Sequence, residues 1–136
     1  MQLALQAARE AAPGLPVICS MTFGRDDRTT LSAHLPGAVA RQLRDAGADV
    51  IGVNCSGGPA QISRILQLMR QTVPDALYLA MPNAGFPQTM GGRTMYAATV
   101  EYFAEYALTF KAVGAAMIGG CCGTDHRQTC ADEAHR

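Results

Sequence analysis

Four short apolar runs alternate with segments of helical composition, and this spacing constrains the fold more than any other feature of the chain. The runs are PVICSMTF at 16–23, DVIGVNC at 49–55, ALYLAMPNAG at 76–85 and AAMIGGCCG at 115–123. Between them, LALQAAREAA at 3–12 has helical spacing and is stopped by Pro13-Gly14. Ser32 is expected to cap a second helix running to about Asp45, closed by Gly47. Gly57-Gly58-Pro59 opens a third, with Ile62, Ile65, Leu66 and Met69 on one face and Pro74 beyond its end. TVEYFAEYALTFKAVG at 99–114 is a fourth, ending on Gly114, and a last helix begins near His126. Two polar stretches, 24–31 and Gln88 to Thr94, read as loops.

Strands that are apolar throughout and recur at intervals of roughly 30 residues, with helices between, imply a parallel sheet wound right-handed. The pattern is (βα)4. A closed (βα)8 barrel takes about 250 residues, so these 136 amount to half of one. The competing arrangement at this length is a flavodoxin-like open sheet, but no phosphate-cradling glycine loop follows the first strand. Both ends of the sequence fall inside helical patterns, which points to a piece of something longer.

Charge and hydropathy narrow the function. Eleven basic side chains balance eleven acidic ones, with no basic run or interleaved aromatics, so the footprint of a nucleic-acid binder is missing. The apolar runs are strand-sized and the N-terminus lacks the order of a signal peptide, so neither a membrane span nor secretion is expected. A cytoplasmic protein is the expectation. Five cysteines, two of them adjacent, suit a disulfide framework poorly and suit a reducing compartment. Cys19 and Cys130 read as small buried hydrophobes.

The other three cysteines fall at strand tips, Cys55 on the second strand and Cys121-Cys122 on the fourth. In an α/β barrel that end carries the active site, and strands two apart can present side chains to one point. Adjacent strand residues face opposite ways, so Cys121 and Cys122 share a site only if the backbone leaves strand geometry there, which Gly119-Gly120 and Gly123 permit. Three converging thiolates suit zinc with an open fourth position, the arrangement of a catalytic site. Cysteines that merely pack the barrel mouth, or a strained vicinal disulfide, fit the spacing equally well. His126 is near enough in sequence to be a fourth ligand but reads better as a histidine at a helix start, and His34 and His135 as surface residues. Asn54 and Asn83, also at strand tips, are candidates to bind the amino-acid end of a substrate or to brace a ligand, with turn capping as the alternative. Ser20 and Thr22 are weaker candidates.

GVNC at 52–55, PNAG at 82–85 and GGCCGT at 119–124, in that order and on those strands, resemble the signature of the homocysteine S-methyltransferase family. The likeness extends over essentially the whole chain, through PVICSMTF, DAGADVIGVNC and EYFAEYALTF. It implies that residues 1–136 are the C-terminal half of a TIM (βα)8 barrel, equivalent to strands 5–8, with the first four units absent. It also implies that Cys55, Cys121 and Cys122 bind Zn²⁺. PNAG and GRTMY, Gly92 to Tyr96, look closest to members linked to cobalamin-dependent methionine synthase or fused to a methylenetetrahydrofolate reductase. The chain departs from the family after GGCCGT, where Asp125-His126 replaces the usual Thr-Pro and then His.

The activity so implied is zinc-dependent methyl transfer to the thiol of homocysteine, forming methionine. The methyl donor would be methylcobalamin or a methylfolate-linked carrier, or S-methylmethionine or S-adenosylmethionine, and the missing N-terminal half-barrel would be a partner. A free thiol with a pKa near 8.5 is mostly protonated at pH 7, and coordination to zinc removes that proton. The alternative is an inactive half-barrel that serves as a zinc-holding or chain-pairing module.

Overall fold

The computed structural model describes residues 1–29 and 33–130. Its elements in chain order are α1 (Gln2–Ala11), β1 (Ile18–Met21), α2 (Pro36–Asp45), β2 (Val50–Cys55), α3 (Pro59–Thr72), β3 (Leu77–Pro82), β4 (Gln88–Met90), β5 (Arg93–Met95), α4 (Val100–Ala112), β6 (Ala115–Ile118) and α5 (His126–Cys130). β1, β2, β3 and β6 form one parallel sheet in that order. Each strand adds beside its predecessor and the order never reverses, whereas a flavodoxin-like sheet requires a reversal.

Side chains alternate across a strand, so the register sorts them into two faces. One face carries Cys19, Ile51, Val53, Tyr78 and Ala80, all of which pack with Val39, Ala40 and Leu43 of α2 and with Ile62, Ile65, Leu66 and Met69 of α3. The α3 residues repeat at helical spacing and are at most 1% exposed. Burial of this kind stabilises by about 1.5–3 kcal/mol per large apolar side chain. Pro59 starts α3 at a position where its missing N–H costs nothing, and Thr99 caps α4 by accepting from the Tyr102 N–H at 3.3 Å. The opposite face carries the row Ile18, Val50 and Leu77 and the row Ser20, Gly52, Leu79 and Met117. On this face Ile18, Leu77 and Met117 are 47, 54 and 44% exposed, while Val50 and Leu79 are buried.

Three expectations about elements need correction. α2 starts at Pro36 with Leu35 at its cap, and Ser32 lies outside the described residues; proline at the first helical position sets that boundary. The stretch Gln88 to Thr94 is a β-hairpin, β4 paired antiparallel with β5 around Gly91-Gly92, because its short alternating TM and RTM segments pair with each other across the turn. The fourth sheet strand stops at Ile118, so the GGCC segment lies beyond it. Among the described residues, no helix is long and apolar enough to cross a membrane.

Candidate metal centre

All four parallel strands end at the same edge, and the three cysteines gather there. Cys55 is the last residue of β2, and both it and Ser56 have φ of +56°. Two successive left-handed residues other than glycine cost on the order of 1–3 kcal/mol each and persist only when their surroundings hold them. Here Ser56 Oγ accepts from the Phe23 N–H at 3.1 Å and donates to the Asn54 carbonyl at 3.1 Å, while Asn83 Nδ2 donates to the Ser56 carbonyl at 3.0 Å. The turn swings the Cys55 sulfur out of the strand's alternation.

The second loop is held to the end of β3. The Cys121 N–H donates to the Pro82 carbonyl at 2.9 Å, the Cys122 N–H to Asn83 Oδ1 at 3.1 Å, and the Ala84 N–H to the Cys122 carbonyl at 3.0 Å. Thr124 Oγ1 closes the loop onto the Cys121 carbonyl at 2.6 Å. Buried Asn83 therefore ties the Cys55 turn to the Cys121-Cys122 loop, one end of its amide on each.

The sulfurs of Cys55 and Cys121 are 3.0 Å apart, those of Cys55 and Cys122 4.0 Å, and those of Cys121 and Cys122 3.9 Å. All three are free thiols, so the vicinal disulfide is not formed. Sulfurs about 2.3 Å from a tetrahedral zinc would be about 3.8 Å from each other, so the trio needs only a small spread at one pair to fit such an ion. Among the described residues no histidine or carboxylate joins the cluster. His126 is the exposed first residue of α5, His34 is exposed, and His135 lies outside the described residues.

Electrostatics within the cluster are those of crowded thiols. Burial, then the hydrogen bond with Cys121, pushes Cys55 up to about 12. Cys121 feels the same desolvation, yet the bonds it receives from Cys55 and Cys122 bring it below the ordinary thiol value. Asn54 Nδ2 donates to the Cys55 sulfur at 3.4 Å, and Ser20 Oγ, on the neighbouring strand, donates to Asn54 Oδ1 at 2.7 Å, which fixes which end of the amide faces the thiol. Half-buried Tyr96 stands beside the cluster; desolvation, then the nearby Cys122, raises its phenol, so it stays protonated at neutral pH.

The sequence reading missed two of these relations. The Ser20–Asn54 pairing depends on strand register, and Tyr96 arrives on a hairpin that was read as loop. The signal for the second is Gly123, whose bare α-carbon abuts the Tyr96 ring. Cys19 is buried in the core as expected, but Cys130 is exposed at the end of α5, because the buried member of that helix is Gln128.

Residues 1–131 match the family described as homocysteine S-methyltransferase. The chain belongs to this family. It is 32% identical over 126 residues to methionine synthase of Mycobacterium leprae, covering 89% of this chain and 10% of that protein. It is 30% identical over 148 residues to S-methylmethionine–homocysteine S-methyltransferase of Mus musculus, covering 96% and 40%. The chain therefore spans about a tenth of one relative and two-fifths of the other. The solved apo form of a homocysteine methyltransferase from Escherichia coli superposes with a TM-score of 0.74 at 23% identity, over 99% of this chain and 45% of that one. At that identity the likeness establishes a shared α/β fold.

Proposed function

We propose that this homocysteine S-methyltransferase chain is the C-terminal half of a (βα)8 barrel and holds zinc through Cys55, Cys121 and Cys122 for methyl transfer to homocysteine, forming methionine. The observation that carries the reading is the convergence of three thiols, with separations of 3.0–4.0 Å, at the C-terminal ends of parallel strands, with no fourth protein ligand among the described residues. That leaves one tetrahedral position for a substrate sulfur, as in catalytic zinc sites. Zinc bound there would supply the charge that keeps the substrate thiol deprotonated and in place.

The protein's own groups do the rest. The left-handed turn at Cys55-Ser56 aims one sulfur and the Asn83-pinned loop aims the other two. The Ser20–Asn54 pair presents an N–H to Cys55, which steadies its charged form. Asn54 and Asn83 stay the candidates for the amino-acid end of homocysteine, though both ends of each amide are already bonded, Asn54 to Ser20 and Cys55 and Asn83 to backbone, so that both also act as braces. Free thiols in such a cluster accord with a reducing, cytoplasmic setting. The methyl donor, whether methylcobalamin, a methylfolate-linked carrier, S-methylmethionine or S-adenosylmethionine, would bind against the first four units of the barrel.

The test is complementation. Mixed with a chain carrying barrel units one to four, the protein should form methionine from homocysteine with one of these donors, and Cys121→Ser should abolish it. A folded, zinc-loaded complex inert with every donor would overturn the catalytic reading. The second reading, a chain-pairing or zinc-holding module without turnover, is favoured by the uncovered Ile18, Leu77 and Met117 face. It predicts stable association through that face and no activity in any mixture.

A further inference from the structure

Each rim asparagine already has both ends of its amide bonded, so the charged end of an amino-acid substrate calls for further partners. Two other groups at the same edge have capacity left. Gln61, in the first turn of α3, is 5% exposed, and its Nε2 donates to the Gly24 carbonyl and, at 2.8 Å, to Asp27 Oδ1. Both partners are acceptors, which fixes the amide's orientation. Its Oε1 is left with no donor among the described residues. Buried polar atoms without a partner are rare, and each calls for a group that the fold itself does not supply.

The orphan oxygen lies against the bare α-carbon of Gly57, two residues beyond Cys55, and the edge of the Phe86 ring converges on the same place. A β-carbon at Gly57 would strike Oε1 and the ring's Cζ and Cε2, so glycine keeps that corner open. Over the face of the same ring stands the Arg25 guanidinium, 4.2 Å from the centroid. Arg25 is exposed, and among the described residues no carboxylate pairs with it, whereas Arg64 and Arg127 at the same edge are held by Asp27 and Asp125. A guanidinium stacked on a ring keeps its edge N–H groups in one plane, ready to take a carboxylate through two parallel bonds.

One corner of the rim thus holds an unpaired acceptor beside an unpaired cation. We propose that it is the subsite for the α-amino-acid end of the substrate, Gln61 Oε1 accepting from the ammonium and Arg25 donating to the carboxylate. The half-buried Phe86 edge shares the space around Oε1 and gives way as the ammonium enters. The identity of the ligand rests on the proposed reaction of homocysteine; the pairing of groups does not depend on zinc.

The experiment titrates the metal-free 136-residue chain with methionine, the proposed product, which carries both charged groups and no thiol; binding is read from amide chemical shifts by NMR. Methylthiobutyrate lacks the amine and methylthiopropylamine lacks the carboxylate, and each should bind about tenfold more weakly than methionine. Gln61→Met should erase the advantage of methionine over the butyrate, and Arg25→Gln its advantage over the amine. Arg93→Gln, at an exposed arginine of the hairpin, should change neither. Failure of methionine to bind, equal binding of the three probes, or a loss with Arg93→Gln equal to that with Arg25→Gln would overturn the proposal. If Gln61→Met does not fold, Arg25→Gln, at an exposed position, decides it. Neither metal nor thiol enters the measurement, so a chain that takes up no zinc leaves this test standing. A failed subsite, in turn, leaves zinc uptake and methyl transfer by the complemented barrel to be judged on their own.

Discussion

The helix-covered face of the sheet and its C-terminal rim follow opposite rules. Under α2 and α3, apolar side chains on regular strands and helices meet with almost no exposure. At the rim, two successive residues sit at left-handed φ, a buried asparagine spends its amide on the backbone, and three thiols crowd within 4.8 Å. The first region can supply the stability that the second uses to hold groups where they would not settle unaided.

The separation should be visible in variants. Leu66→Ala, which opens a cavity beneath the sheet, should cost about 3 kcal/mol in urea unfolding while leaving metal uptake by the folded fraction intact. If metal uptake falls in proportion, the two regions are one unit. Asn83→Ala crosses the boundary, since it leaves the Ser56 carbonyl and the Cys122 N–H unpaired; about 2 kcal/mol of stability should go, and metal affinity with it. Ser20→Ala belongs to the rim alone. It should lower zinc affinity about tenfold by chelator competition with hardly any change in the urea midpoint, and a large midpoint change would make Ser20 a packing residue.

The smallest effect concerns the loop after β1. Asp27 accepts from Arg64 Nε at 2.6 Å and from Gln61 Nε2 at 2.8 Å, and the Arg64 bond holds its carboxyl below the ordinary value. A depressed carboxylate contributes stability that is present above its unfolded pKa of about 3.9 and is lost as pH falls through the folded value. Asp27→Asn should therefore cost under about 1 kcal/mol at pH 7, and the difference from wild type should vanish in melts below about pH 3. A difference that persists in acid would assign the effect to shape.

Much of this was legible in the residues. Ile62, Ile65, Leu66 and Met69 declared the covered face of α3, and continuous apolar runs such as VIGV declared parallel strands, because periodicity and burial are local consequences of sequence. The GVNC and GGCCGT motifs marked the three thiols. What stayed hidden depends on register or on turn geometry. Ser20 meets Asn54 only because β1 pairs with β2 so that Ser20 lies beside Gly52. The hairpin at 88–95 is too short and polar for its alternation to stand out. Helix α2 began at Pro36 because a proline at the first turn set its start.

The most direct test of the central claim is the zinc content of the 136-residue chain purified under reducing conditions, measured beside a variant with Cys55→Ser, Cys121→Ser and Cys122→Ser. The account predicts equimolar zinc in the wild type and none in the variant, with protons released on loading because Cys55 holds its proton up to about 12 in the metal-free chain. A folded wild type without zinc, or a variant that keeps it, would contradict the claim.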